Sequence, residues 1–176
     1  MAENQAVLSA FERNWEMVTL AVAEVDETAM AARPNDDSNS MRWLVWHMTR
    51  VADRFIHFRL TDKPQLWTAD AWHDKFNMPD DPQEFGLGWS NERVAAWQSP
   101  PKAVVMAYFH AVKSVVIEYF NLLTERELTR VIPFPALPDT MTVGGNALGN
   151  LVWDNIALGG QVAYLWGYYR GIGWHR

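Results

Sequence analysis

Leu151-Val152-Trp153-Asp154-Asn155-Ile156-Ala157-Leu158-Gly159-Gly160-Gln161-Val162-Ala163-Tyr164-Leu165-Trp166-Gly167-Tyr168-Tyr169-Arg170-Gly171-Ile172-Gly173-Trp174 is the stretch whose reading decides the fold. Leu151, Asp154, Leu158, Gln161, Leu165 and Tyr168 recur at steps of three and four, which predicts one inward stripe of a long helix. Two of those inward positions are polar. Each of Gly145, Gly149, Gly159, Gly160 and Gly167 weakens a helix by about 0.8–1.0 kcal/mol relative to alanine. Close helix contact explains the first and last of them, whereas Gly159-Gly160 would leave room for a ligand. The stretch therefore reads as the last helix of a bundle whose interior was shaped for a site.

Earlier parts of the chain supply its partners. Leu8, Phe11, Trp15, Val18, Val22 and Val25 mark one face of a first helix from about residue 5 to 25. Arg33-Pro34 and the Asn-Asp run behind it break the chain, and Ser38 or Ser40 caps a second helix running to about Leu60. Its stripe is Leu44, His47, Val51, Phe55 and Phe58. Residues 61–99 form a long crossover with short helical pieces at 65–67 and 91–97, too aromatic to stand free. Ser99-Pro100-Pro101 opens a third helix to about Leu123, with Val105, Tyr108, Val112, Val115, Tyr119 and Leu122 inward. Thr124 to Glu127 is a capping box. Residues 131–142, with Pro133, Pro135 and Pro138, are extended, and Thr142 caps the fourth helix, which ends at Gly171 or Gly173. The expected architecture is all-α, a four-helix bundle with no strand, in a single domain over residues 1–176.

Composition narrows the function. A chain of 176 residues buries roughly 70% of its unfolded surface as one core. The net charge of −6 disfavours a nucleic-acid partner, because no basic face balances it. With no cysteine, disulfides and thiolate chemistry by the chain itself are excluded, in keeping with a cytoplasmic location. Charged and amide residues interrupt every apolar window, so no membrane span is expected, and the first residues lack a signal peptide's pattern. No phosphate loop, serine elbow or His-Glu-x-x-His motif is present.

What remains is the polar pair. His47 is the one histidine on a core stripe, and a buried Asp154 carboxylate needs a partner. His47 is the first candidate for that partner and Arg50, one turn on, the second. A buried structural pair that fixes register is the bland alternative for both. Arg50, Gln161 and Trp43 are the candidate lining of a small-molecule pocket. Trp15, Trp46, Trp153 and Trp166 read as core, and His57, His73, His110 and His175 as surface or incidental.

Ser40 to Arg50 and Asp154 to Leu165 together resemble the DinB/YfiT-like superfamily, as do the long crossover and the Gly-x-Gly-Trp ending. The resemblance implies an up-down-down-up bundle, often a homodimer. It also implies a divalent metal, zinc or nickel, held by one histidine on the second helix and a His-x-x-x-His pair on the fourth. Several branches are transferases or isomerases that use mycothiol, bacillithiol or glutathione. His47 matches the first ligand position, but the pair here reads Asp154 and Leu158. Two donors where relatives offer three imply a weakly held metal or none. The resemblance thus points to a divergent transferase using a low-molecular-weight thiol, with His47 and Asp154 as its catalytic or ligating residues. The competing reading is a bundle that binds a small ligand without catalysis.

Overall fold

The computed structural model describes residues 2–133 and 141–171, and the chain is mostly helical. Helix α1 (Ala2–Ala23) buries five of the six expected residues, with Phe11 and Val18 fully inside, and Val25, just past its end, is buried too, none of the six more than 4% exposed. The Lys102 ammonium donates to the carbonyls of Val22 (3.2 Å) and Val25 (2.6 Å), a cation at the negative end of the helix. Asp26 caps α2 (Glu27–Ala31) through the Ala29 amide at 2.7 Å.

Ser40 caps α3 (Met41–Arg54), accepting from the Trp43 amide at 3.1 Å, as the sequence predicts. Eleven of the fourteen residues of α3 are buried, so it has no solvent face of its own. It packs against two long helices, and the crossover covers it elsewhere. At Phe55 the helix widens into a π-helical turn, Phe55–Thr61, closed by Asp62 at φ +51°. Phe58, expected inside, is 48% exposed, and His57, expected at the surface, is 7% exposed, on the same helical face as Arg50 and Asp53.

The crossover carries α4 (Leu66–Ala69), α5 (Trp72–Lys75) and α6 (Asn91–Ala96). It anchors itself with Trp67 and Phe76, both essentially inaccessible. Helix α7 (Lys102–Leu122) follows Pro101 without a side-chain cap, because Ser99 is engaged by Arg42 at 3.0 Å instead. Val105, Tyr108 and Val112 are buried as expected, but Val115 and Tyr119 are only half-buried and Leu122 is 71% exposed. By length and composition α7 is apolar enough to cross a membrane, contrary to the sequence reading. A core helix of a globular chain passes the same test, and Val105, Phe109, Val112, Val116 and Phe120 of α7 lie in the core.

Thr124 caps α8 (Glu125–Leu128) through the Glu127 amide at 3.2 Å. The expected extended segment does form a short antiparallel pair, β1 (Val131–Ile132) with β2 (Met141–Thr142), where no strand was expected. Pro135 and Pro138 lie outside the described residues. Thr142 sits in β2 and not at the start of the helix: a π-helical turn, Val143–Ala147, leads into α9 (Leu148–Arg170), whose first residue follows Ala147 without a side-chain cap. Gly171, at φ +103°, ends α9 with its amide on the Gly167 carbonyl at 2.8 Å. Gly173, His175 and the rest of the Gly-x-Gly-Trp ending beyond Gly171 lie outside the described residues.

Of the long helices, α1 and α3 each pack against both α9 and α7. The inward face of α9 is Leu148, Leu151, Asn155, Gly159, Val162 and Leu165. This is the expected stripe rotated by one residue over its middle. Asp154 and Leu158 are half-buried, Gln161 is exposed and Tyr168 is 57% exposed. The cause is Asn14 of α1, which reaches into α9 and donates to the Asn155 carbonyl at 3.0 Å. A Cβ at Gly159 would stand 2.0 Å from the Asn14 Oδ1. Gly159 therefore makes room for Asn14 and not for a ligand.

Candidate functional site

His47 leaves α3 half-buried, between two aromatic rings. Trp43, one turn earlier, stacks on it at 4.6 Å and 17°, and Phe85 of the crossover lies nearly parallel at 6.0 Å. Its Nδ1–H donates to the Phe85 carbonyl. A neutral imidazole has one donor and one acceptor, so this bond leaves the lone pair on Nε2, which has no hydrogen-bond partner among the described residues. Burial pulls the imidazole below its usual pKa, and the bond to the Phe85 carbonyl opposes that only in part. The ring is therefore held neutral near pH 7.

Asp154, on α9, is not bonded to it. No hydrogen bond or ion pair joins the two residues, so the expected His47–Asp154 pair is not formed. The Oδ2 of Asp154 is buried with no partner. Burial alone raises its carboxyl pKa to about 6, because nothing on the protein compensates the desolvated charge. Arg50 does not supply that compensation either. It is fully buried and ion-paired to Asp53 at 3.3 Å, with its guanidinium over the Trp67 ring at 4.5 Å.

Asp53 is the residue that sequence reasoning missed. It accepts from His57 Nδ1 (2.6 Å), the Tyr108 hydroxyl (2.5 Å) and the Leu66 and Trp67 amides (2.9 Å each), besides Arg50. Burial would raise its pKa, but the His57 and Tyr108 bonds and the Arg50 charge outweigh it and hold the carboxyl low. The same site pushes the Tyr108 hydroxyl, fully buried, well above its usual pKa. One signal was available: Arg50, Asp53 and His57 are spaced i, i+3, i+7, one helical face of ionisable groups.

The candidate pocket residues are dispersed. Trp43 is packed edge-on against Trp46 (6.2 Å) and Trp89 (6.4 Å) in an aromatic cluster that fills its own interior. Gln161 instead lines an open cleft of about 450 Å³ with Asp37, Leu44, Tyr164, Leu165 and Tyr168. Neither His47 nor Asp154 lines that cleft. Trp153, expected in the core, is 71% exposed.

Comparison with known proteins fits this architecture. Residues 10–153 match the DinB superfamily. The chain belongs to the DinB superfamily. A solved structure described as the conserved protein of locus from Enterococcus faecalis is similar at 22% identity and a TM-score of 0.84, over 96% of this chain and 97% of that one. At that identity the likeness is one of fold. No curated protein matches. The superfamily match includes His47 and stops one residue short of Asp154.

The DinB-type metal centre can be tested on the donors present. His47 offers Nε2 and Asp154 offers an unsatisfied carboxyl, but Leu158, half-buried against the core, offers nothing. No cluster of three histidine, cysteine or acidic side chains able to hold a metal occurs among the described residues. A three-ligand centre does not fit this donor set.

Proposed function

We propose that this DinB-superfamily chain is a divergent thiol-dependent transferase that works by acid–base chemistry at His47 and Asp154 without a structural need for metal. The single observation behind the reading is a half-buried carboxyl, its buried Oδ2 unpartnered and its pKa near 6, on the helix that packs against the helix of His47, whose Nε2 has no partner among the described residues. Perturbed, uncompensated ionisable groups of this kind cost stability and cluster where proton transfer is needed. His47 Nε2 would take the proton of a low-molecular-weight thiol, and the thiolate would add to an electron-poor C=C bond of the second substrate, the S–C bond forming as the π electron pair moves to the neighbouring carbon, which is then protonated. Asp154, which exchanges its proton near pH 6, would return one to the product. The family resemblance adds an up-down-down-up four-helix bundle, a homodimer and a cytoplasmic location to this proposal.

The test is a transfer assay with glutathione, bacillithiol and mycothiol against a panel of electrophiles. His47→Ala should lower the rate about 10²–10⁴-fold. An unchanged rate would end the acid–base reading. The second reading, ligand binding without catalysis, has the open cleft beside Gln161 in its favour. It predicts tryptophan or tyrosine fluorescence quenching by a ligand panel that Gln161→Ala and Tyr164→Ala weaken and His47→Ala does not.

A further inference from the structure

Arg50 and Asp53 take no part in the chemistry proposed above, yet neither side chain has any solvent exposure. Burying two charges on one helix needs a reason, since apolar residues of similar volume are often as stable. Besides the Tyr108 hydroxyl of α7, which accepts from Arg50 Nη1 at 3.1 Å, and His57, their bonds run outward to the crossover. Arg50 Nε donates to the Glu84 carbonyl at 3.0 Å and Nη2 to the Pro82 carbonyl at 3.3 Å, where Gln65 Nε2 also donates at 3.1 Å. Asp53 holds the other arm of the crossover by the amides of Leu66 and Trp67. The next carbonyl along the chain is that of Phe85, which receives the Nδ1 proton of His47. Gly86 lets the strand of chain lie this close: at φ +91°, a Cβ there would be 2.8 Å from Trp46, 2.9 Å from Trp43 and 3.3 Å from His47 Nδ1.

We propose that Arg50 is a positioning residue for His47: held by Asp53, which also fixes the 66–67 arm, it clasps the crossover at residues 82 and 84 so that the Phe85 carbonyl fixes the Nδ1–H tautomer and presents the Nε2 lone pair. A carbonyl can only accept, so while it stays in place Nδ1 must carry the proton. The tautomer of a histidine is set by the partner of its other nitrogen. If the strap lifts, the proton is free to move to Nε2, and the lone pair is lost from the side where it is needed. The inference rests on the reading of His47 as the base, but its test observes the imidazole itself.

That test is nitrogen-resolved NMR of the histidine rings in the whole protein, at a pH where they are neutral, with His47 assigned by its loss in His47→Gln. The wild type should show His47 as the Nδ1–H tautomer. Arg50→Lys keeps the charge but loses the fork that spans two carbonyls, and the tautomer ratio should fall about tenfold, the equivalent of one hydrogen bond. Gln65→Ala removes only the second donor to Pro82 and should shift the ratio in the same direction, so it carries the test if Arg50→Lys does not fold. Asn91→Ala removes a surface bond from Asn91 Nδ2 to the Asp37 side chain (2.7 Å), away from the strap, and should leave the ratio alone. A wild-type Nε2–H tautomer, or a folded Arg50→Lys or Gln65→Ala protein with an unchanged ratio, would overturn the inference. If the tautomer shifts as stated while His47→Gln retains full thiol-transfer activity, the function proposed above fails and the positioning role stands.

Discussion

Gly159→Ala and Gly160→Ala, adjacent changes in the middle of α9, should move stability in opposite directions. At Gly160 an added Cβ meets nothing within 4 Å, so only the helix propensity counts, a gain of about 1 kcal/mol. At Gly159 the same gain is opposed. The Cβ would overlap Asn14, at 2.0 Å from Oδ1, 2.8 Å from Cγ and 2.9 Å from Nδ2. Asn14 is only 5% exposed and cannot swing into water, so it must give up its 3.0 Å bond to the Asn155 carbonyl. Losing that bond costs about 1–3 kcal/mol, and overpacking costs roughly 1–3 more. The net effect is a destabilisation of roughly 1–5 kcal/mol. Urea unfolding at constant m-value would measure both variants. Asn14→Ala with Gly159→Ala should recover part of the loss, since the clash is then gone. If Gly159→Ala stabilises as much as Gly160→Ala, the close approach of α1 to α9 is not what the structure shows.

Asp154→Asn should stabilise the protein at pH 7–8 and have little effect at pH 4. The folded carboxyl titrates near 6 against 3.8 in the free group, so the folded state binds the extra proton, and the stability this confers is lost as pH rises through that window. After discounting for its partial exposure, the gain at pH 7 is on the order of 1 kcal/mol, read from thermal unfolding as a function of pH. Asp53→Ala should cost about 3–5 kcal/mol in denaturant unfolding, because it strands the fully buried Arg50 charge; a loss under 1 kcal/mol would contradict the burial of the pair. Tyr108→Phe removes one bond to Asp53 and should cost roughly 1–3 kcal/mol in the same assay. Leu158→His, one turn beyond Asp154, should create stoichiometric nickel or zinc binding by calorimetry where the wild type binds far more weakly; equal binding by both would mean the wild-type donors suffice.

The all-α class and the positions of the long helices were legible in the sequence because hydrophobic periodicity is strong where one face of a helix is buried. The stripe of α1 is the clearest case. Where a helix is buried nearly all round, periodicity carries less, and α3 shows this: Arg50 and Asp53 are interior, although charged residues usually mark a surface. On α9 the ambiguity was one of phase. From Leu151, a step of three reaches Asp154 and a step of four reaches Asn155, both polar, and the choice depends on Asn14, some 140 residues away in the chain. That Asp154 is not the partner of His47 has the same origin. Its replacement by a carbonyl of the crossover was not legible, since backbone groups leave no residue-type signal.

The π-helical turn at Phe55–Thr61 is where the regular part of α3 ends. Upstream of it α3 faces the crossover with Trp46, Arg50 and Asp53, and His57, four residues beyond Asp53, keeps that face while Phe58 points to solvent. Asp53 reaches past the turn to the amides of Leu66 and Trp67. The chain is thereby tied back to the helix it has just left, which closes residues 53–67 into a loop of their own.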